Sequence, residues 1–470
     1  ALSAFLVAAV GTSLVFHRFF LADDEFAAWF QAVIFAHGSR SATVAPEWCR
    51  WIGALAPTSI AVDPGACTWR LSFLPIHSVV RAAFIRLDID QLGGPATAAA
   101  SIGLVVLVAR KAWPDQPARA WIAAAVLGAS TQVLFTSMTM FAMPTHLLFS
   151  LIWLWLYLED RAWSIAVLPW VGFLALGVHS PTPHALFVPP FLLRYVWNRR
   201  FRVAGYMAAV YAIAVLYWAR QLGAPATPAL ATLATPAATV AMARSIFAVP
   251  NALEGVIAVM HLALIFTWNT PLAPICVLAA MLAWKRLDTF GRDLALSLIL
   301  VIVVRSLHGL NSQGEGWGYR RLYAALGNFA LLAACGTDVF VAAIGGRRTA
   351  WLWVSSLATS VLIQLPMRAV QVERVVRPYD LAERWMEQLP TRIVILPAES
   401  IRWGRQLVRN DPFLRVGNKI MSESDLGARG LAEVNARYPG QVHVVTPREL
   451  TRFGLERSSI HVGSVTIIPR

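Results

Sequence analysis

Three consecutive acids, Asp23, Asp24 and Glu25, follow the first apolar segment of the chain, residues 1–20. Acidic groups are costly beside hydrocarbon, so such a cluster marks a candidate functional site. A carboxylate can take a proton from an attacking hydroxyl or amine, or hold a metal ion. Adjacent helical side chains diverge by about 100°, so Asp24 and Glu25 cannot both face one substrate atom. Alternatively, Asp23 or Asp24 only caps a helix over residues 24–38.

A glycine- and arginine-rich segment, residues 308–321, joins two late apolar segments. Its glycines allow backbone to approach a ligand closely, and paired arginines can grip a phosphate. Arg305, near the end of the preceding apolar segment, needs an anionic partner such as a carboxylate or a lipid phosphate. The alternative is an ordinary polar turn with snorkelling arginines. The residues that we predict to contact substrate here are Arg305, His308, Trp317, Tyr319, Arg320 and Arg321.

Histidines form a third group of candidates. His179 and His184 flank a Ser-Pro-Thr-Pro turn, while His77 and His146 follow prolines at the ends of other apolar segments. We add His179 and His77 to the candidate substrate contacts, with a plain polar turn as the alternative for His179. Together the histidines permit a divalent metal site but do not indicate one, and no cofactor is otherwise indicated.

The composition is that of a polytopic membrane protein. Of its 470 residues, 57% are hydrophobic and only 14% are charged, against about a quarter in soluble domains. The formal charge of +14 does not indicate nucleic-acid binding, because most basic residues lie in short loops between apolar segments. That distribution is the positive-inside pattern of membrane proteins.

Apolar segments separated by basic gaps predict about eleven transmembrane helices. They lie near 1–20, 96–110, 119–137, 140–158, 163–179, 184–198, 203–219, 270–285, 292–308, 323–343 and 349–367. If the chain starts inside, the three acids, the 308–322 loop and the C-terminal residues all face outside. Residues 253–268 are also apolar, but we expect them to lie along the outer interface, since an extra span would place Lys285 and Arg286 outside.

The first long loop, residues 21–95, is too long for a simple connection. Apolar residues at helical spacing predict two amphipathic helices on the membrane surface, over residues 24–38 and 76–91. Cys49 and Cys67 share this loop and can form a disulfide in an oxidising compartment, a pairing that the sequence leaves open. Residues 221–240, rich in proline, predict a second extended outer loop.

The composition changes near residue 370. Residues 371–470 hold 15 Arg and Lys and 11 Asp and Glu, with no segment able to span a membrane. Short apolar runs predict strands at 392–396, 441–445 and 464–468, and helices are expected at 380–388 and 400–409. The sequence thus predicts a transmembrane domain over 1–369 and a small soluble α/β domain over 370–470.

The layout resembles the GT-C superfamily of glycosyltransferases that use polyprenyl-phosphate-linked sugars. It is nearest to the bacterial lipid A aminoarabinose transferases and the protein O-mannosyltransferases, which open with one span and then an Asp-Glu pair, here Asp24-Glu25. The resemblance implies that Asp24 is the catalytic base, with Glu25 beside it and Asp23 as a substitute. It also implies that Arg320 binds the donor phosphate. Unlike many relatives, this chain has no acid between Ser137 and His146, which leaves metal dependence open.

The expected activity is transfer of a sugar from a polyprenyl phosphate to a lipid, glycan or protein acceptor. The expected location is the outer, periplasmic face of a bacterial inner membrane, with the C-terminal domain exported. A transporter or a flippase of lipid-linked glycans is the alternative. Transporters usually carry midplane charges and repeated halves, whereas the charges here cluster at the outer ends of spans and no repeat is visible.

Overall fold

A computed structural model describes residues 1–222, 252–307, 317–458, 460–462 and 465–467. Residues 223–240 of the predicted loop at 221–240 therefore lie outside the described residues. The candidate residue His308 also lies outside them.

The described chain is mostly helical. Its helices up to residue 222 are α1 (Leu2–Leu14), α2 (Asp23–Ala36), α3 (Pro46–Cys49), α4 (Ile52–Leu55), α5 (Ile76–Arg86), α6 (Gly93–Ala112), α7 (Pro117–Gly128), α8 (Thr131–Ser137), α9 (Met143–Glu159), α10 (Ala162–Leu176), α11 (Thr182–Phe187), α12 (Pro189–Trp197) and α13 (Phe201–Leu222). The later ones are α14 (Ala252–Thr267), α15 (Leu272–Leu282), α16 (Thr289–Leu307), α17 (Leu326–Ile344), α18 (Gly346–Thr359), α19 (Leu365–Glu387), α20 (Glu423–Arg437) and α21 (Pro447–Thr451).

Each of the eleven apolar segments contains helix, as predicted. By length and composition, four described helical stretches could cross a membrane, namely Asp90–Ala112, Phe201–Gln221, Arg320–Ile344 and Gly346–Glu387. Two bent pairs, α7 with α8 and α14 with α15, raise the number to six if each pair is one span. The count of eleven therefore stays a prediction. Residues 253–268 do form a helix, and a 112° bend separates it from α15; its interfacial location also stays a prediction.

The described chain divides into two compact units. The first unit comprises Ala1–Gly11, Leu74–His77 and Gln91–Ala369, and the second comprises Thr12–Phe73, Ser78–Asp90 and Val370–Arg470. The last segment of the second unit begins at Val370, within α19, and the predicted division into domains at 369 and 370 stays a prediction. Most of the 21–95 loop, however, groups with the C-terminal residues and not with the transmembrane helices.

The first unit is a bundle in which small residues let helices approach closely. Helix α17 packs against α15 and α7. A β-carbon on Gly336 of α17 would clash with the backbone of Cys276 on α15, so this contact requires glycine. Cys276 and Cys335, which lie on these two packed helices, are buried free thiols.

The second unit contains two three-stranded sheets. In one, the antiparallel order is β1 (Ala42–Thr43), β3 (Thr68–Leu71), β2 (Ile60–Asp63). In the other, the parallel order is β5 (Lys419–Ser422), β4 (Ile393–Leu396), β6 (Val442–Val444). A hairpin of β7 (Ile460–Val462) and β8 (Val465–Ile467) follows. The three predicted strands are present, whereas β5 and α20 were not anticipated.

The two sheets of the second unit share one hydrophobic core. Phe30 of α2 meets Trp69 of β3 edge-on at 5.3 Å between ring centroids, and Ile393 and Ile395 of β4 belong to the same buried cluster. The indole of Trp69 donates to the carbonyl of Pro412 at 2.8 Å. Apolar residues of α2 are therefore buried against protein in the second unit. The expected location of this helix on the membrane surface stays a prediction.

Two segments of the second unit have local structure that the sequence did not indicate. Arg81 of α5 is 3% exposed and donates to the carbonyl of Asp90 at 2.9 Å. Its burial lowers the pKa of the guanidinium to about 10. The helix expected at 400–409 is only a 3₁₀ turn over Gly404–Leu407, because Ile401 pairs with Arg457 in a β-bridge and Trp403 has a left-handed φ of 53°.

Candidate functional site

The three acids occupy the first turn of α2, in the second unit, and they have different surroundings. Asp23 accepts hydrogen bonds from the Asp24 backbone N–H and from the Ser59 hydroxyl, each at 2.9 Å. Glu25 is fully buried, and its Oε2 accepts from the backbone N–H of Ala22 at 2.9 Å. These bonds satisfy donors at the start of the helix. The capping role that the sequence left open therefore belongs to Asp23 and Glu25, while the Asp24 side chain is half-buried.

Arg409 is a residue beside this helix turn that sequence reasoning missed. Its guanidinium lies 3.7 Å from the ring centroid of Phe19 and 4.8 Å from that of Phe26, and only 8% of the residue is exposed. Its Nη1 lies 3.5 Å from a carboxylate oxygen of Glu383. Burial lowers the pKa of Arg409, whereas the charges of Glu383 and then Glu25 raise it.

The surroundings of Arg409 explain why the sequence did not indicate it. Residues 400–409 looked like an ordinary polar helix, and nothing local linked them to residues 19–26, almost 400 positions earlier. An arginine held between two aromatic rings and a partly buried carboxylate is a strongly organised cation. In the second unit, the C-terminal segment thus places a positive charge beside the first turn of α2, residues Asp23–Glu25, which we call the acid turn.

The first unit contains a cavity of about 190 Å³ that is rich in positive charge. Its lining residues with polar side chains are His146, His179, Ser180, Arg305, Arg320, Arg321 and Tyr323. Among the described residues that line it, none carries a carboxylate. Three guanidinium groups around one small cavity have the charge and the hydrogen-bond donors that suit a multiply charged anion such as a phosphate.

Separate elements bring these arginines together. Arg305 lies in the last turn of α16, and Arg320 and Arg321 begin a 3₁₀ helix over Arg320–Ala325. Gly318 has a φ of 71°, a conformation that suits glycine in the turn before Tyr319. The Arg320 guanidinium lies 4.3 Å from the ring centroid of Phe141, and Arg321 points Nη1 at the carbonyl of Arg305 at 3.5 Å. The Nε of Arg305 is buried, and no atom of the described residues accepts a hydrogen bond from it.

Other predicted contacts divide between the cavity and its supporting structure. His179 lines the cavity, as does His146, which the sequence grouped with it. His77 does not line it, because its ring nitrogens lie 2.9 Å from the Thr145 hydroxyl and 2.8 Å from the Met140 carbonyl. Both ring nitrogens of His77 thus have partners within the protein, and its role as a substrate contact stays a prediction.

The two aromatic candidates hold the turn that precedes Arg320. Tyr319 is buried, its carbonyl accepts from the Gln132 amide at 2.6 Å, and its ring stacks on His261 at 6.0 Å between centroids. Trp317 lies 6.4 Å from Trp268 in the same measure. Neither lines the cavity. These contacts indicate that the aromatics fix the direction of the turn.

The sequence left open whether Cys49 pairs with Cys67 and whether the protein has a metal site. Cys49 and Cys67 form a disulfide in the second unit. Among the described residues, no group of three or more His, Cys, Asp or Glu side chains is arranged to hold a metal ion.

Solved structures with a similar fold identify the architecture. ArnT from Cupriavidus metallidurans bound to undecaprenyl phosphate matches with a TM-score of 0.54 and 14% identity, over 96% of this chain and 89% of that chain. Its apo state matches with a TM-score of 0.51 and 14% identity, over 95% and 90%. An oligosaccharyltransferase from Archaeoglobus fulgidus, tethered with an acceptor peptide, gives a TM-score of 0.49 and 13% identity over 89% and 64%.

No protein-family model and no curated protein sequence matches the chain. The likeness to ArnT, a lipid A aminoarabinose transferase, covers nearly the whole of both chains. It shows that the chain has the fold of ArnT, which is consistent with the predicted membrane architecture.

Proposed function

We propose that this protein is a membrane glycosyltransferase that moves a sugar from a polyprenyl phosphate to a lipid, glycan or protein acceptor. The cavity lined by Arg305, Arg320 and Arg321 is the observation that carries the proposal. In a chain with the ArnT fold, three guanidinium groups suit the phosphate of a lipid-linked donor. ArnT itself was solved with undecaprenyl phosphate bound.

In the proposed reaction, the Asp24 carboxylate takes the proton of the acceptor hydroxyl or amine. The freed electron pair forms a bond to the anomeric carbon of the sugar, and the bond from that carbon to the phosphate oxygen breaks. The electron pair of the broken bond stays on the phosphate, which leaves as polyprenyl phosphate. Arg305, Arg320 and Arg321 stabilise the charge that develops on this leaving group.

Asp24 is assigned as base because it belongs to the Asp24-Glu25 pair that follows the first apolar segment, the pattern on which the resemblance to the GT-C superfamily rests. Its carboxylate is half-buried in the first turn of α2. In the same turn, Asp23 bonds to Ser59 and to its own helix, and Glu25 bonds to the backbone of Ala22. Arg409 is proposed to position this turn through its charge interaction with Glu25 and its stacking on Phe26.

We place the second unit on the outer, periplasmic side of a bacterial inner membrane. The Cys49–Cys67 disulfide supports this placement, since such bonds persist in oxidising compartments. Val416→Cys, at a position 75% exposed, should react with a membrane-impermeant thiol reagent in intact cells. Asn198→Cys, in a basic gap expected inside, is the control that should react only after permeabilisation. The opposite pattern would overturn the placement.

The experiment that tests the function compares membranes from cells with the protein, without it, and with Asp24→Asn. Mass spectrometry of lipids and glycans should reveal a sugar-bearing product that is present only with the active protein, and this product names the acceptor. A lipid-linked glycan that changes leaflet without a new glycosidic bond would contradict transfer and favour the flippase alternative.

A further inference from the structure

The parallel sheet of the second unit has a topology that creates a crevice. β4 lies in the centre, the chain passes from it to β5 on one side, and then crosses through α20 to β6 on the other side. The strand order is thus second, first, third along the chain. In parallel sheets of this order, connections that leave the first and third strands diverge, and ligands bind in the crevice at the carboxyl ends of those two strands.

A cavity lies at this edge. It is lined by Glu399 and Ser400, which follow β4, by Thr446 and Arg448, which follow β6, and by the segment of Arg457 and Ser458. Its volume of about 630 Å³ is within the range of small-molecule sites. None of its lining residues belongs to the group around Asp24 or to the arginine cavity of the first unit.

Backbone hydrogen bonds hold the third wall of this cavity against the loop that follows β4. The N–H of Ser458 donates to the carbonyl of Ser400 at 3.0 Å, and the N–H of Arg402 donates to that of Glu456 at 2.9 Å. Ile401 and Arg457 form a β-bridge between these bonds. This wall of the cavity is therefore built by paired backbone.

The charge of the lining is positive. Glu399 is the acidic residue among those that line the cavity. Its carboxylate lies 3.4 Å from a guanidinium nitrogen of Arg405, and Arg405 also forms an ion pair with Asp425 at 2.8 Å. Neither Arg448 nor Arg457 forms an ion pair with a carboxylate of the described residues. Two guanidinium groups and nearby hydroxyls are suited to a phosphate monoester. Because the cavity is far larger than a phosphate group, its ligand also has an organic part.

We propose that this crevice between β4 and β6 binds a small phosphorylated molecule of about the size of a sugar phosphate. The site is separate from the donor site proposed above and does not depend on it. In the full-length protein, such a ligand would be recognised by Arg448 and Arg457 through its phosphate and by Ser400 and Ser458 through its hydroxyls.

Hydrogen–deuterium exchange of the full-length protein in detergent tests the proposal locally. Glucose 1-phosphate should slow exchange in residues 397–402 and 445–458, and glucose at the same concentration should not. In Arg448→Gln/Arg457→Gln, at least about tenfold more glucose 1-phosphate should be needed for the same protection, since charge-assisted bonds to the phosphate are lost. Absence of protection in the native protein, or unchanged protection in this variant, would overturn the proposal.

Two controls make the outcome specific. Arg429→Gln, at a side chain 93% exposed that pairs with Glu433, also removes a positive charge and should leave protection intact. Arg320→Gln should likewise leave it intact, so a failure of the donor site and a failure of this site give different results. If the double variant exchanges faster throughout residues 419–437, the single Arg448→Gln variant replaces it. Equal protection by inorganic phosphate would contradict the organic part of the ligand.

Discussion

The arginine cavity of the first unit and the acid turn of the second are built in opposite ways. The cavity collects charges of one sign from separate segments, with Arg305 at the end of one helix and Arg320 and Arg321 at the start of another. The acid turn holds three adjacent carboxylates, yet Asp23 and Glu25 are engaged in helix-capping bonds. Arginines from two separate segments thus line one cavity. The three consecutive acids instead make different contacts, because a helix points successive side chains in different directions.

The largest effect is expected from Asp24→Asn. If Asp24 is the base, its loss should lower kcat for sugar transfer by about a thousandfold, the middle of the range for general-base catalysis. Asp23→Asn is the matched control and should keep most of the activity, since Asp23 bonds to Ser59 and to its own helix. Initial rates with purified protein, at matched expression, measure both variants. Equal losses of kcat in the two variants would contradict the assignment of Asp24, rather than Asp23, as the base.

Arg320→Gln tests the cavity. Loss of a charge-assisted bond to the donor phosphate should lower kcat/KM by about ten- to a hundredfold, which corresponds to about 1.5–3 kcal/mol. Binding of undecaprenyl phosphate should weaken in parallel, as measured in nanodiscs. Arg202→Gln, at an exposed position of the same unit, should leave both quantities unchanged. Unchanged binding of undecaprenyl phosphate by Arg320→Gln would contradict the proposal that this cavity binds the donor phosphate.

Arg409→Gln tests whether the C-terminal segment positions the acid turn. We expect kcat to fall by about tenfold with little change in KM, because a displaced base costs rate more than binding. Removal of a positive charge near the turn makes its carboxylates easier to protonate, so the acidic limb of the pH–rate profile should move to higher pH.

Arg409→Lys retains the charge and should restore part of the rate and the original pH profile. A loss of rate with an unmoved pH profile in Arg409→Gln would indicate that the residue acts only through stability, which a thermal unfolding midpoint records separately.

The smallest effect on catalysis is expected from Cys49→Ser/Cys67→Ser. The disulfide closes a separation of 18 residues, and its loss should lower the stability of the second unit by about 3 kcal/mol. Sugar transfer at low temperature should persist, because neither cysteine belongs to the acid turn. Thermal unfolding with and without reductant measures the effect. Loss of transfer at low temperature, with the second unit still folded, would link this loop to the acid turn more closely than we propose.

The sequence alone determined the features that depend on local composition. Apolar length and basic gaps predicted helix in all eleven expected segments, and short apolar runs predicted three strands of the second unit. The acid turn, the candidate arginines and His179 were also selected from local patterns, since costly charges beside apolar segments need a reason.

Only the tertiary structure decided which of these residues meet. Arg305 shares a cavity with Arg320 because two helix ends converge, whereas His77 lies outside that cavity and contacts Thr145 and Met140. The grouping of residues 12–73 with the C-terminal segment, and the place of Arg409 beside the acid turn, depend on contacts between residues hundreds of positions apart. An amphipathic pattern specifies that a helix has a face to bury, but the partner that covers it is set by the rest of the fold.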